Sequence, residues 1–392
     1  MTAHAGAWDV VVAGAGVIGA STAYSLQRLG VRVCLIDRAR TPAGGTASGA
    51  SAGGVRAPGR TPAELPLAVL ALERWRGLAD ELGEDLLYRR EGMTVCVDRP
   101  ALVPALRRRI EAERAHGVDV RLVEGETLHA LVPGLAPRMV AGSYAPDDGH
   151  ADPMRTTRAF ALAAAALGAD VRYGVALTGV RAPGGRVEAA ETTGGAIACR
   201  HVIVAGGAWT GALLERLGLD LPIRAGCIQM VATTAMPHRL DQVLAWVGEG
   251  ISLKQQPSGG YLLGGGWPGV GEPERYEATV RPESVARGVD VGARLFPPMA
   301  AAAVVRAWVG FESWGPENEP LIGPVGRPSG LWLAAGFSGH GFALAPAVGS
   351  ELARWVATGE ASTLLGPFDP LRYAPGRQGG DGAGREGPSD GD

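Results

Sequence analysis

An α/β fold opening with a Rossmann-type dinucleotide-binding unit is predicted by three features. The first is the run Asp9 to Gly19, which holds Gly14-Ala15-Gly16-Val17-Ile18-Gly19 after four apolar residues. The second is Leu35-Ile36-Asp37-Arg38, a short apolar strand ending in an acid about twenty residues further on. The third is the apolar helical stretch between them. Glycines at 14, 16 and 19 allow a tight turn, close backbone approach to a pyrophosphate, and close helix–strand packing. The first helical turn then points free N–H groups at phosphates, and Asp37 is placed to accept from a ribose hydroxyl.

The composition fits this reading. The chain has 392 residues, enough for two domains, with 46% hydrophobic and 20% charged residues. A net charge of −3 argues against a nucleic-acid surface. The positive charge is almost all arginine, and Lys254 is the one lysine. Cys34, Cys96, Cys199 and Cys227 are too far apart in sequence for a CxxC pair and read as buried thiols. The seven histidines are scattered, so no metal site is expected. The apolar run Val10 to Leu29 lacks a basic leader and a cleavage pattern; no membrane span and a cytoplasmic location are expected.

Residues 9–37 form the first βαβ unit. Gly44 to Gly59 is a loop of small residues, suited to backbone lying against a flat ligand. Helices are expected at Ala63–Leu82, Leu102–His116 (arginine-rich and solvated), Glu124–Leu131 and Arg155–Leu167, with a strand at Tyr88–Val97. Residues 171–205 read as a meander returning to the buried strand His201 to Ala205, which ends in Gly206-Gly207-Ala208-Trp209. Pro222 to Trp267 reads as several long strands of a second domain. A helix at Pro282–Phe296 and a strand at Ala303–Glu312 follow. The last strand, Leu331–Ala335, enters Gly336-Phe337-Ser338-Gly339-His340-Gly341-Phe342, and a final helix spans Pro346–Thr358. Residues 376–392, rich in Gly, Asp, Arg, Ser and Pro, read as a disordered tail.

Four segments together resemble the D-amino-acid-oxidase-like family of FAD-dependent oxidoreductases, which includes glycine oxidase and the sarcosine and dimethylglycine dehydrogenases. They are the glycine turn with Asp37, the Val-Ile-Val-Ala-Gly-Gly-Ala-Trp strand end, Gly149-His150-Ala151-Asp152-Pro153, and Pro320 to Pro324 followed by Gly336 to Phe342. The resemblance implies an FAD-binding domain in three pieces, 1–85, 148–219 and 318–375. It also implies an antiparallel-sheet substrate domain from 86–147 and 220–317. By the same carry-over Gly14, Gly16, Val17, Ile18 and Gly19 hold the pyrophosphate, and Asp37 with Arg38 the adenosine ribose. Ser48, Ala52, Gly53 and Gly54 lie along the flavin, and Leu177 offers backbone to the adenine. Gly206 and Trp209 complete that end. Gly339, His340, Gly341, Phe342 and Ala343 meet the flavin ring and ribityl chain.

Departures from the family pattern carry the substrate argument. Relatives that bind FAD covalently use a cysteine where this chain has Gly310 or its neighbours, or a histidine near Gly49; FAD is therefore expected to be non-covalent. Glycine oxidase carries an arginine in the strand near 310 that clamps the substrate carboxylate, whereas this chain reads Gly310-Phe311-Glu312-Ser313. Arg306, Trp308, Gly310 and Glu312 share one strand face, and Arg306 lies roughly 20 Å from Glu312, too far to neutralise it. Glu312 reads either as a member of a structural hydrogen-bond network or as the contact for a cationic amine. Arg56 is the candidate for a substrate carboxylate, His340 and Trp308 are candidate site linings, and Lys254 reads as a flavin or substrate contact or as a solvated strand residue.

The expected activity is oxidation of the C–N bond of an amino acid or N-substituted amine by hydride transfer to flavin N5, giving an imine that hydrolyses. The electron acceptor would be O₂ or a redox partner, and an oligomer is compatible with the sequence. A 2-hydroxy-acid dehydrogenase is an alternative that leaves Glu312 unexplained. A flavin-binding subunit of a hetero-oligomer is another.

Overall fold

The computed structural model describes residues 7–41 and 46–373. The expected tail and residues 44–45 of the small-residue loop lie outside this range. Two eight-stranded sheets organise the rest. In the first, the order is Leu321–Pro324, Leu331–Ala335, Ile197–Val204, Trp8–Ala13, Val33–Asp37, Asp170–Tyr173. Adjacent strands run parallel except at the Leu321–Pro324 edge, and the strands Leu177–Arg181 and Ala189–Thr192 branch off Ile197–Val204. A parallel sheet covered on both faces needs strands that are apolar throughout. Val10, Val11 and Val12 meet that need and are buried, as are all five residues Val33–Asp37.

One face of this sheet is covered by the helices Val17–Arg28, Leu65–Trp75, Pro153–Ala166 and Gly341–Thr358. The first and last of these touch closely. Ser21 Oγ donates to the Ala345 carbonyl at 3.0 Å. A Cβ on Gly349 would lie 2.6 Å from that Oγ, so only glycine admits the contact. Trp75 Nε1 donates to the Ala343 carbonyl at 2.9 Å and ties the third helix into the pair.

The second sheet runs Val304–Trp314, Arg224–Ala235, Gly260–Gly265, Ile251–Gln255, Val243–Trp246, Met93–Val97, Ala141–Ala145, Arg121–Glu124. It is antiparallel apart from the pairing of Val243–Trp246 with Met93–Val97. The helix Pro282–Leu295 covers one face, with Gly292 against Leu263 and Met299. The opposite face meets the small-residue loop: a Cβ on Gly310 would lie 2.5 Å from that of Ala50, and one on Gly264 would lie 3.7 Å from that of Ala52.

Several boundaries differ from those expected. The Ala63–Leu82 helix is two helices, Leu65–Trp75 and Leu78–Leu82, broken at Gly77. The strand expected from Tyr88 begins at Met93, because Gly92 sits at φ 90°. The final helix begins at Gly341 and carries Pro346 inside it. Reading that proline as a first-turn residue places the start too late; its missing N–H leaves one carbonyl, Phe342, without an intrahelical donor. The solvated reading of Lys254 is overturned: the side chain is buried, 6% exposed.

Candidate functional site

The glycine turn closes as its spacing requires. Gly14 has φ 115°, and a Cβ there would lie 2.2 Å from the Ala205 carbonyl oxygen. Gly19 has no place on the cavity wall; a Cβ on it would lie 1.8 Å from the Gly14 oxygen, so it serves helix–strand packing. Gly16 caps the first helix, and Ser48 Oγ accepts from Val17 N–H at 3.0 Å. Asp37 accepts from Ala15 N–H at 2.6 Å and from Ala39 N–H at 2.7 Å. Burial pushes its pKa up while these two donors pull it down. Asp37 thus holds the turn as well as facing the cavity.

A cavity of about 450 Å³ runs from this turn in both directions. At one end Arg38, Leu177, Gly206 and Trp209 line it, joined by Tyr276 and Glu274 from the second-sheet side of the chain. The Arg38 guanidinium lies 5.0 Å from the Trp209 ring centroid and 4.2 Å from that of Tyr276. Trp209 Nε1 donates to the Pro273 carbonyl at 2.7 Å, and Arg216 faces Glu274 at 3.7 Å. The turn Pro273–Arg275, carried between the short strands Val270–Glu272 and Glu277–Thr279, is thereby clasped over this end.

At the other end the lining is Glu312, Ser313, Phe337, Gly339, Gly341 and Phe342. Glu312 Oε1 accepts from Ser313 N–H at 2.9 Å, and the carboxylate is also bonded by the backbone of Gly339. Burial pushes its pKa up to about 7 against these two donors. Trp308, two turns of the pleat away on the same face as Glu312, is packed down onto the loop, its Nε1 donating to the Ala50 carbonyl at 3.0 Å.

Behind this end lies a buried ionic cluster. His340 Nδ1 stands 3.0 Å and 3.1 Å from the two oxygens of Glu64. Burial, with Arg60 and Arg56 nearby, lowers the imidazole pKa to about 4 despite Glu64. The ring is therefore neutral near pH 7, with Nδ1–H donating to Glu64. Arg56 Nη1 donates to the Pro58 carbonyl at 3.4 Å and has Asp148, Glu64 and Glu113 around it. Burial raises Asp148 to about 7 and lowers Arg60 to about 9. On the far side Lys254 is lowered to about 8 by burial, opposed by Asp152, and helps hold His150 down at about 3.

The structure thus brings Gly14, Gly16, Val17, Ile18, Asp37, Arg38, Ser48, Leu177, Gly206, Trp209, Glu312, Gly339, Gly341 and Phe342 onto one cavity wall. Arg56, Lys254, Trp308, His340, Ala52, Gly53, Gly54 and Ala343 do not line it. Gly53 is placed by pairing: its carbonyl accepts from Ala151 N–H at 2.9 Å, and Gly54–Val55 pairs with Gly149–His150. Among the described residues no His, Cys, Asp and Glu cluster is arranged to hold a metal, and no helix is long and apolar enough to cross a membrane.

Residues 9–355 match the family described as FAD dependent oxidoreductase (DAO). The chain belongs to this family. Mouse mitochondrial dimethylglycine dehydrogenase is 26% identical over 389 residues, covering 93% of this chain and 44% of the relative. The chain therefore spans less than half of that relative's length. Glycine oxidase of Geobacillus kaustophilus is 29% identical over 381 residues, covering 93% of this chain and 97% of the relative. Among solved structures, L-proline dehydrogenase from P. horikoshii superposes with a TM-score of 0.88 at 26% identity, covering 94% of this chain and 98% of that one.

The cavity of this FAD-dependent oxidoreductase fits the cofactor that its family implies. Gly14 and Gly16 line the cavity at the start of the helix Val17–Arg28, where a helix N-terminus favours a pyrophosphate. An acid stands at one end, and the glycines 339 and 341 stand at the other. Tyr276, Glu274 and Glu64 were not found by sequence reasoning. Tyr276 lies in a polar hairpin without a motif, and Glu64 meets His340 across 276 residues of chain.

Proposed function

We propose that this chain oxidises the C–N bond of an N-substituted amine or amino acid, with FAD bound non-covalently by 1–85, 148–219 and 318–375. The observation that carries the reading is Glu312. It occupies the cavity wall in the strand where carboxylate-clamping relatives carry arginine, and no ion pair among the described residues neutralises it. A substrate carboxylate 4 Å from an ionised Glu312 would be repelled by about 4 kcal/mol at an effective dielectric of 20. An ammonium group there is attracted by a similar amount. Secondary and tertiary amines, or diamines, are favoured over simple D-amino acids.

When bound, FAD supplies the two-electron acceptor for the hydride. The residues of the chain supply position and charge. Glu312 faces the amine, and the buried rings of Phe337 and Phe342 at the same end of the cavity exclude water. Arg56, the candidate for a substrate carboxylate, does not line this cavity. Glycine, sarcosine, dimethylglycine and L-proline share the C–N chemistry of the relatives' names and serve as probes. Anaerobic bleaching of the flavin across these amines and primary D-amino acids such as D-alanine tests the proposal. Faster bleaching by a secondary or tertiary amine is expected; faster bleaching by small D-amino acids, or by 2-hydroxy acids alone, overturns it. Acid precipitation should release the flavin into the supernatant, and colour retained in the pellet would show a covalent link.

A further inference from the structure

We infer that Glu312 is the proton acceptor for the substrate ammonium, in addition to being its electrostatic contact. This rests on the amine reading above and deepens it. An amine can give up a hydride from its α-carbon only with a free lone pair on nitrogen, and an aliphatic amine is protonated at neutral pH. A base in the cavity beside the nitrogen would supply that lone pair at neutral pH.

Three carboxylates border the cavity: Asp37, Glu274 and Glu312. Asp37 has both oxygens engaged by backbone donors at the opposite end, and Glu274 faces Arg216 over the clasp. Glu312 alone stands at the Gly339–Phe342 end. Its two backbone donors, Ser313 and Gly339, fix the carboxylate in place. Two of its roughly four lone-pair positions are used, which leaves others for a substrate N–H. Register pairs Glu312 with Gly226 on the neighbouring strand, where the Trp314 ring from the same face of its own strand lies over the glycine.

The charged and titratable groups on the surrounding elements do not neutralise it. Arg306 lies on its own strand, Arg224 and Cys227 on the strand beside it, Glu277 on the short strand packed against it, and His340 follows Gly339. Among the described residues none forms an ion pair with Glu312. Burial therefore sets its proton affinity, and a pKa of about 7 matches a base working near neutrality.

A proton leaves the ammonium nitrogen for a Glu312 oxygen, giving a neutral amine and a protonated carboxyl. The nitrogen lone pair then forms the C=N bond as the α-hydrogen leaves with its electron pair to FAD, the oxidant. Water adds to the iminium, and solvent takes the carboxyl proton.

The test is the pH dependence of anaerobic flavin bleaching by sarcosine, dimethylglycine and L-proline in wild type, Glu312→Gln and Glu312→Asp holoenzyme. Wild type should speed up at least tenfold through one ionisation near neutrality. Glu312→Gln should lose that limb and run at least a hundredfold slower at pH 7, within the usual range for losing a general base. Glu312→Asp should recover part of the rate. A second reading uses difference infrared spectra of the holoenzyme across the same pH range. A protonated-carboxyl band present at low pH and lost near neutrality should be missing from Glu312→Gln. If no amine bleaches wild type, the amine reading fails and takes this inference with it. If an amine bleaches wild type but Glu312→Gln keeps the same pH profile, or no such carboxyl titrates, only the base assignment is overturned.

Discussion

Glu64 and His340 form a buried pair that joins the starts of two helices. Glu64 caps Leu65–Trp75 and His340 precedes Gly341–Thr358, with Nδ1 3.0 Å from Oε1. The pair is invisible as a motif, yet it fixes the turn that brings Gly339 and Gly341 to the cavity.

The first prediction concerns acid stability. The native imidazole titrates near 4 rather than 6.5. Between those values the unfolded chain takes up a proton that the native chain refuses, so stability falls as pH drops through this window. The contribution is about 3 kcal/mol. His340→Asn should flatten this part of the stability curve, measured by urea unfolding at several pH values. An unchanged slope between about pH 6.5 and 4 would count against the depressed imidazole.

Asp37→Ala should weaken FAD binding at least tenfold, because charge-assisted hydrogen bonds are worth about 1.5–3 kcal/mol. The variant also frees the Ala15 and Ala39 N–H groups, so apoprotein melting should fall too. Dialysis followed by FAD titration reads the first effect, and calorimetry of apoprotein the second. A fall in affinity with no change in apoprotein melting would show that Asp37 does not hold the turn.

Lys254→Met should stabilise the protein at neutral pH. The native ammonium titrates near 8 and the unfolded one near 10.5. As pH falls through that window the unfolded chain gains a proton more readily, and below about 8 the full penalty of a buried charge remains. The gain from methionine should be about 2–3 kcal/mol at pH 7 and shrink toward pH 10.5. A gain independent of pH would point to packing alone.

The Arg38 stack predicts cofactor kinetics. A cation–π contact of this kind is worth about 1 kcal/mol, or roughly fivefold. Tyr276→Ala should raise the FAD dissociation rate by that factor, followed as flavin fluorescence recovers on release. Association should change less, because affinity differences among variants of one site reside mostly in dissociation. An unchanged off-rate would separate the clasp from cofactor retention.

The first βαβ unit was legible because each of its constraints is local: Gly14, Gly16 and Asp37 act within thirty residues of one another. The face shared by Trp308, Gly310 and Glu312 was legible for the same reason, since strand alternation alone sets it. What Glu312 touches was not, because Gly339 reaches it from another segment of chain. Lys254 misled for a related reason. A lysine in a strand is usually solvated, and the segment at 150–152 that meets this one comes from about a hundred residues earlier in the chain. Pro346 misled through its usual preference for a first helical turn.

The parallel pairing of Ile197–Val204 with both Trp8–Ala13 and Leu331–Ala335 bears on synthesis. The middle strand of the cofactor sheet waits for a partner about 130 residues downstream, and the glycine turn waits for Ala205 to press against Gly14. Contacts this distant in sequence form late and fold slowly. While the chain is still on the ribosome the glycine turn exists without its roof, and Phe342 has yet to emerge. Cofactor uptake then becomes a report on completion: a truncated product can collapse and still carry the fingerprint, but it has no chamber in which to hold the dinucleotide. FAD that binds only the finished chain stabilises it by an amount that grows with the logarithm of its concentration over Kd. Flavin supply during expression should therefore govern how much finished protein survives proteolysis, independently of any turnover.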